Sequence, residues 1–216
     1  MTSGGRTVTE LVDTLREDRV AAVIRGRSVR DPRGLALALA SSGIRCVEFT
    51  LTLPDAFEAI AAACDVDGAV VGAGTVITAA DAERAIEAGA RFVVSPGVAM
   101  EIVPPCREAQ IPFVLGASTP SEVMQATAAG SAVVKLFPAG LGGPKYLKDL
   151  RGPFPRVMFV PSGGVSVDNV RAFLDAGAVA AFAGSDLVPS AAVENGDFEG
   201  LLAQAQRYRA IVLSEA

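Results

Sequence analysis

The sequence predicts an α/β fold: a (β/α)8 barrel forming a single domain over residues 1–216, with an extra helix at its N-terminus. Three observations carry that prediction. Eight short apolar runs alternate with helical segments at roughly 25 residues per unit, the signature of a parallel sheet. No linker or low-complexity stretch interrupts the series, so the 216 residues read as one compact barrel near the lower size limit of the fold. No GxGxxG opens a helix after the first run, which removes the main support for the rival reading, a doubly wound open sheet.

Each unit has its own punctuation. An amphipathic segment, Val8–Arg16, precedes the first strand, Val20–Arg25, and the helix after that strand covers Pro32–Ala40 and stops at Gly43. Ile44–Thr50 is the second strand, followed by a helix from Pro54 to Cys64. Ala69–Gly74 is the third. Its helix opens near Thr78, places Asp81 and Glu83 in a first turn where negative charge suits the helix dipole, and ends before Gly89. Arg91–Ser95 leads to a helix over Ala99–Glu108, and Pro112–Leu115 to one with Pro120 in its first turn and Gly130 at its end. The sixth strand, Ser131–Pro138, is followed by a Gly-rich connection and a short helix around Lys145–Leu150. Val157–Val160 precedes a helix from Ser166 or Val167 to Gly177, and Val179–Ala183 precedes a closing helix, Phe198–Val212.

Composition excludes several functions. A net charge of −5 gives no basic patch for nucleic acid. No window approaches eighteen uninterrupted apolar residues, so no membrane span is expected. The first twenty residues carry Arg6, Glu10, Asp13, Arg16, Glu17 and Asp18 and contain no apolar core of a signal peptide. Cys46, Cys64 and Cys106 are an odd set without CxxC spacing, as expected of reduced thiols, and a cytoplasmic location follows. The chain has no histidine. Ser-His-Asp and Cys-His catalysis are therefore excluded, no His ligands exist for a catalytic zinc, and acid–base work falls to carboxylates, lysines, tyrosines, cysteines or water.

Chemistry concentrates on the sixth strand. Lys135 is the only lysine within an apolar strand, and a buried ammonium costs several kcal/mol unless it is paired or loses its proton. Two readings are open: a lysine snorkelling at a strand end, or a desolvated amine of lowered pKa that attacks a carbonyl. Lys145 and Lys148 share a short helix with Asp149 and read as a solvated face.

In a barrel of this kind the site lies where the strands end at their C-termini. Those ends carry Arg25, Glu48 with Thr50 and Thr52, Gly72–Thr75, Ser95–Gly97, Lys135 with Phe137, Ser162–Gly164, and Gly184–Ser185. By the two-residue strand period Glu48 shares a face with Cys46 and Thr50, whereas Val47 and Phe49 take the other. Glu48 is thus a site carboxylate, or else a packing partner of Arg25 or Lys135. Gly163–Gly164 alone is no more than a tight turn. Beside Gly184–Ser185 on the next strand it suggests a phosphate site built from backbone N–H groups.

With those residues in place, the sequence resembles the KDPG/KHG aldolases, class I enzymes that cleave 2-keto-3-deoxy-6-phosphogluconate and 4-hydroxy-2-oxoglutarate. The matching stretches are Val47–Thr50 (VEFT), Val71–Thr75 (VGAGT), Val94–Gly97 (VSPG), Val134–Pro138 (VKLFP), Pro161–Gly164 (PSGG) and Gly184–Ser185, in order along the chain. The resemblance implies a lyase that needs no metal and no cofactor beyond a covalent Schiff base on Lys135, with Glu48 as the acid–base group. It implies a pyruvate pocket shaped by Thr75, Pro96 and Phe137, and phosphate held by Gly163, Gly164, Gly184 and Ser185. Some members carry a carboxylate-binding arginine at the position of Thr52; others carry it at the end of the first strand, as Arg25 is here, so the substrate carboxylate is assigned to Arg25. The Ser162 hydroxyl tilts specificity toward the gluconate-derived aldol over its galactonate epimer, the alternative substrate. Cleavage of 4-hydroxy-2-oxoglutarate would need Lys135 and Glu48 but not the phosphate glycines. The implied partners are a phosphorylated 2-keto acid and pyruvate, and the implied assembly is a homotrimer. Two other classes compete: an isomerase or synthase using Lys135 as an electrostatic clamp, and a non-catalytic phosphosugar-binding barrel.

Overall fold

The computed structural model describes residues 8–214; the seven residues before Val8, Arg6 among them, and the last two of the expected 1–216 span lie outside it. Eight parallel strands, β1 (Val20–Ile24), β2 (Cys46–Thr50), β3 (Val70–Gly74), β4 (Val93–Val94), β5 (Phe113–Ala117), β6 (Val134–Leu136), β7 (Phe159–Pro161) and β8 (Ala181–Ala183), follow one another in space in the order β7-β6-β5-β4-β3-β2-β1-β8. Closure between β7 and β8 rests on a parallel bridge at Ser162 and Phe182 and a hydrogen bond from Val179 N–H to the Phe159 carbonyl, 3.0 Å. The predicted (β/α)8 barrel is the observed fold.

Among the described residues ten α-helices surround or cap the sheet: α1 (Val8–Asp18), α2 (Pro32–Ser41), α3 (Ala56–Ala63), α4 (Ala79–Glu87), α5 (Val103–Glu108), α6 (Pro120–Ala128), α7 (Gly143–Arg151), α8 (Val170–Asp175), α9 (Ser190–Asn195) and α10 (Glu199–Leu213). Their starts follow local chemistry. Asp31 caps α2 by accepting from Gly34 N–H at 2.8 Å, with Pro32 in the first turn. Thr119 and Glu122 form a reciprocal capping box at α6, the Glu122 carboxylate accepting from the N–H groups of Ser118 and Thr119 at 2.8 Å each. Those bonds hold the Glu122 carboxyl below the usual carboxylate range.

The strand period sorts the core into two layers. Val47, Phe49, Val71, Leu115, Leu136 and their like face the helices. Ala21, Val23, Cys46, Val70, Phe92, Val94, Val114, Val133, Val160 and Phe182 fill the barrel, joined by Leu11, Val12 and Leu15 of α1. The N-terminal helix thereby plugs one end of the barrel with apolar side chains, leaving the polar strand ends at the other.

Several bounds are tighter than expected: β4 is Val93–Val94 rather than Arg91–Ser95, β7 starts at Phe159 rather than Val157, β8 at Ala181 rather than Val179, and α5 at Val103 rather than Ala99; three further differences have a local signal. The sixth strand starts at Val134 rather than Ser131, because the Ser131 hydroxyl is turned back to accept from Leu115 N–H (2.8 Å) and donate to the Val133 carbonyl (2.6 Å). The helix after β7 starts at Val170 rather than Ser166 or Val167, because Asn169 Oδ1 accepts from Ser166 N–H (2.9 Å) and holds those residues in a turn. Helix α9 was not expected at all, although Pro189 before it and Gly196, left-handed at its end, are start and stop signals.

Candidate active site

Lys135 and Glu48 come from strands on different parts of the barrel, β6 and β2, and meet in its interior. The ammonium Nζ lies 3.7 Å from Glu48 Oε1, longer than a hydrogen bond, with side-chain exposures of 1% and 0%. Neither carboxylate oxygen of Glu48 has a hydrogen-bond partner among the described residues. A buried carboxylate costs several kcal/mol, and one left with spare acceptors is the kind of exception that marks a reactive site. The snorkelling reading of Lys135 fails, since the amine stays inside the barrel. Its pKa is lowered from the ordinary lysine value, first by burial; the charge of Glu48 opposes that fall, and the charge of Arg25 adds to it.

Aromatic rings narrow the space around the amine. The Phe137 centroid is 5.5 Å from Nζ and the Phe182 centroid 5.8 Å. Phe137 was singled out from the sequence; Phe182 was not, because it sits in an apolar run that reads as core. Its inward register two residues before Gly184 is the signal that could have found it.

Glycines make the room. A Cβ on Gly74 would stand 1.8 Å from Glu48 Oε1, so only glycine at that point of β3 admits the carboxylate. A Cβ on Gly116, the β5 residue paired with Lys135, would stand 2.2 Å from the Pro96 carbonyl oxygen. The Ser95–Gly97 turn thereby folds down beside the lysine, held by the Ser95 hydroxyl donating to the Gly97 carbonyl (2.5 Å). Thr75, at the end of β3, has φ +60°, a conformation a β-branched residue rarely adopts.

The other candidates lie at the same end of the barrel. Arg25 follows β1 with its side chain exposed and close enough for its charge to act on Lys135. The Thr52 hydroxyl is 2.7 Å from that of Thr50, which donates to the Ile24 carbonyl at 3.0 Å, so Thr52 is tied to the strand end that carries Arg25. Ser162 is buried. Gly163 and Gly164 both have positive φ, +79° and +83°, as a sharply turned loop requires. Gly163 abuts the Phe137 ring, where a Cβ would come within 3.0 Å of it, and its carbonyl accepts from Gly140 N–H at 2.8 Å. Gly184 faces open space where a side chain would begin, and the N–H groups of Gly164, Gly184 and Ser185 make no hydrogen bond among the described residues. Such unspent donors are the raw material of an anion cradle.

Rival groups are poorly placed. Lys145 is 85% exposed and pairs with Asp149 at 2.6 Å. Cys46 and Cys106 are buried, and burial pushes the Cys106 thiol up to about 12 and that of Cys46 higher still, so neither is a ready nucleophile. Among the described residues no three His, Cys, Asp or Glu side chains gather where they could hold a metal ion, and no helix is long and apolar enough to cross a membrane.

A (β/α)8 barrel with a buried lysine facing a carboxylate has the groups an aldolase needs, and comparison with known proteins identifies the class as an aldolase, a carbon–carbon lyase. The chain belongs to the KDPG and KHG aldolase family, whose pattern matches residues 11–203. It is 38% identical over 207 residues to the 2-dehydro-3-deoxy-phosphogluconate aldolase of Treponema pallidum, covering 94% of this chain and 97% of that protein. Two solved structures are similar. The KDPG aldolase of Legionella pneumophila, captured with pyruvate as a covalent carbinolamine intermediate, is 32% identical with a TM-score of 0.82, covering 93% of this chain and 97% of that one. The 2-keto-3-deoxy-6-phosphogluconate aldolase of Zymomonas mobilis ZM4 with 3-phosphoglycerate is 30% identical with a TM-score of 0.84, covering 96% and 97%.

Proposed function

We propose that the protein cleaves 2-keto-3-deoxy-6-phosphogluconate to pyruvate and glyceraldehyde 3-phosphate through a Schiff base on Lys135. The observation that carries this reading is the buried amine 3.7 Å from a carboxylate with no other partner. Burial favours the neutral amine, the form that attacks.

The amine adds to the C2 ketone and gives a carbinolamine, whose hydroxyl leaves as water to form an iminium. Glu48, working through water, supplies that proton and then takes one from the C4 hydroxyl. The C3–C4 bond breaks, its electron pair passes into the iminium to form an enamine, and glyceraldehyde 3-phosphate departs. Protonation of the enamine at C3 and hydrolysis of the resulting iminium release pyruvate and restore Lys135. Arg25 takes the substrate carboxylate, with Thr52 behind it. Thr75 and Pro96 shape the pyruvate end, and the Phe137 and Phe182 rings pack beside the iminium. Gly163, Gly164, Gly184 and Ser185 receive the phosphate, a role supported by the unspent N–H donors and by the phosphorylated ligand of the Zymomonas neighbour. The Ser162 hydroxyl favours the gluconate-derived aldol over its galactonate epimer. Action in the cytoplasm as a homotrimer completes the reading.

The test is a lactate-dehydrogenase-coupled assay for pyruvate release from the phosphogluconate aldol, its galactonate epimer and 4-hydroxy-2-oxoglutarate. The highest kcat/KM is expected for the first, with loss of turnover in Lys135→Ala and a fall of about 10²–10⁴ in kcat for Glu48→Gln. No pyruvate from the intact protein, or full activity in Lys135→Ala, would overturn it.

A further inference from the structure

Asp186 follows Ser185 directly, yet nothing in the reaction above uses it. Its Oδ1 accepts three hydrogen bonds from two separate elements: from α10, the Tyr208 hydroxyl at 2.6 Å and the Gln204 side-chain amide at 3.4 Å, and from the loop after β7, the Val167 N–H at 2.9 Å. The same amide also donates to the Asp186 backbone carbonyl at 2.9 Å. Val167 lies in the loop after β7, three residues beyond Gly164. In that loop Asn169 donates to the Gly164 carbonyl at 2.8 Å and accepts from Ser166 N–H at 2.9 Å. One carboxylate oxygen therefore links the loop bearing Gly163–Gly164 to the loop bearing Gly184–Ser185, and fastens both to α10.

All three partners donate to the one oxygen Oδ1, so the position calls for a strong oxygen acceptor, and a carboxylate makes each of those bonds stronger than an amide oxygen would. Tyr208 is completely buried at the far side of this contact, where a phenylalanine would fill the same space. A buried hydroxyl needs a partner, and here the partner it has fixes the distance between two loops.

We propose that Asp186, oriented by Tyr208, is a positioning residue for phosphate: it sets the separation of the two glycine loops so that their N–H groups converge on one phosphoryl group. This rests on the phosphate assignment above. A cradle of backbone donors works by being pre-organised, and a misplacement near 1 Å costs about 10²-fold in comparable sites. Tyr208→Phe removes the hydroxyl without emptying the core, and Asp186→Asn removes the charge with little change in shape.

Binding of inorganic phosphate is measured by calorimetry on wild type and both variants, together with KM and kcat for the phosphorylated aldol and the rate of borohydride trapping with pyruvate. Phosphate affinity is expected to fall about fivefold to twentyfold in Tyr208→Phe and further in Asp186→Asn, with KM for the phosphorylated aldol rising in parallel. Pyruvate trapping, which needs no phosphate, is expected to stay within about twofold in Tyr208→Phe. Unchanged phosphate affinity in the variants, or trapping that falls as far as phosphate binding does, would overturn the proposal, the second outcome showing that the cluster supports the whole barrel. A wild-type protein that releases pyruvate from the aldol but binds no phosphate would refute the phosphate assignment and this inference while leaving the Schiff-base reading intact. Should Tyr208→Phe not fold, Asp186→Asn alone decides by the same criteria.

Discussion

Gly74 and Glu48, on adjacent strands, are complementary to within an atom: a methyl group on Gly74 would stand 1.8 Å from Glu48 Oε1 and 2.3 Å from its carboxyl carbon. The carboxylate reaches toward Lys135 only because β3 has no side chain at that point. Gly74→Ala should therefore push Glu48 out of line, lowering kcat by about 10²-fold and stability by about 1–3 kcal/mol. A double-mutant cycle checks the cause. In a Glu48→Ala background the added methyl should regain most of the lost stability, and equal destabilisation in both backgrounds would refute the steric account.

Removal of the amine should abolish the covalent step itself, which removal of the carboxylate only slows. Lys135→Met is expected to lower kcat/KM by more than about 10³-fold and to abolish the mass increase produced by borohydride with pyruvate. Lys135→Arg should be equally inactive, because a guanidinium stays protonated and cannot form the carbinolamine. Intact-mass measurement after reduction reads both results directly.

The lowered pKa of Lys135 predicts the rising limb of the pH profile. Only the neutral amine attacks, so trapping should rise with pH and level off above the folded-state pKa, which lies below the ordinary lysine value of about 10.4. The same shift affects folding. Between the folded and unfolded pKa values the unfolded chain binds more protons at this site, so its contribution makes stability rise with pH across that window and stay flat below it. Arg25→Ala removes a nearby positive charge and should move the trapping midpoint upward; a midpoint that stayed still or fell would show that Arg25 does not act on the amine.

At the other end of the substrate, Gly184 opens onto empty space. Gly184→Asp has room to fold but places a negative charge where the phosphate is assigned. KM for the phosphorylated aldol should rise at least about tenfold, equivalent to about 1.4 kcal/mol, with pyruvate trapping little changed. Steady-state kinetics and trapping on one preparation separate these effects.

The Thr119–Glu122 capping box, at the start of α6, offers a stability test on residues with no assigned part in the reaction. Thr119→Ala removes the side-chain acceptor for Glu122 N–H and should cost about 1 kcal/mol, lowering Tm by about 2–4 °C at unchanged kcat. Thermal unfolding followed by circular dichroism is sufficient.

Much of this molecule is written locally. The alternation of apolar runs with capped helices spells a barrel, because hydrophobic period and capping chemistry act within a few residues. Lys135 stands out for the same reason, as a charge in an apolar strand, and the two-residue period already puts Glu48 on the face opposite Val47 and Phe49. Errors fall where side chains override pattern. Ser131 and Asn169 use their polar groups to make turns, shortening a strand and a helix that the hydrophobic pattern would extend. Helix α9 is short enough for its proline and glycine signals to read as loop.

The sequence by itself determined the fold class, the end of the barrel that carries polar groups, and the identity of the lysine and glutamate that face inward. Only the tertiary structure decided that those two meet at 3.7 Å, that Phe182 walls the amine, that Gly74 vacates the space Glu48 fills, and that Asp186 ties two loops together. The physical reason lies in barrel closure. Strand period assigns a face to each residue, but strand tilt and stagger set which inward residues share a level, and those are properties of eight strands closing together.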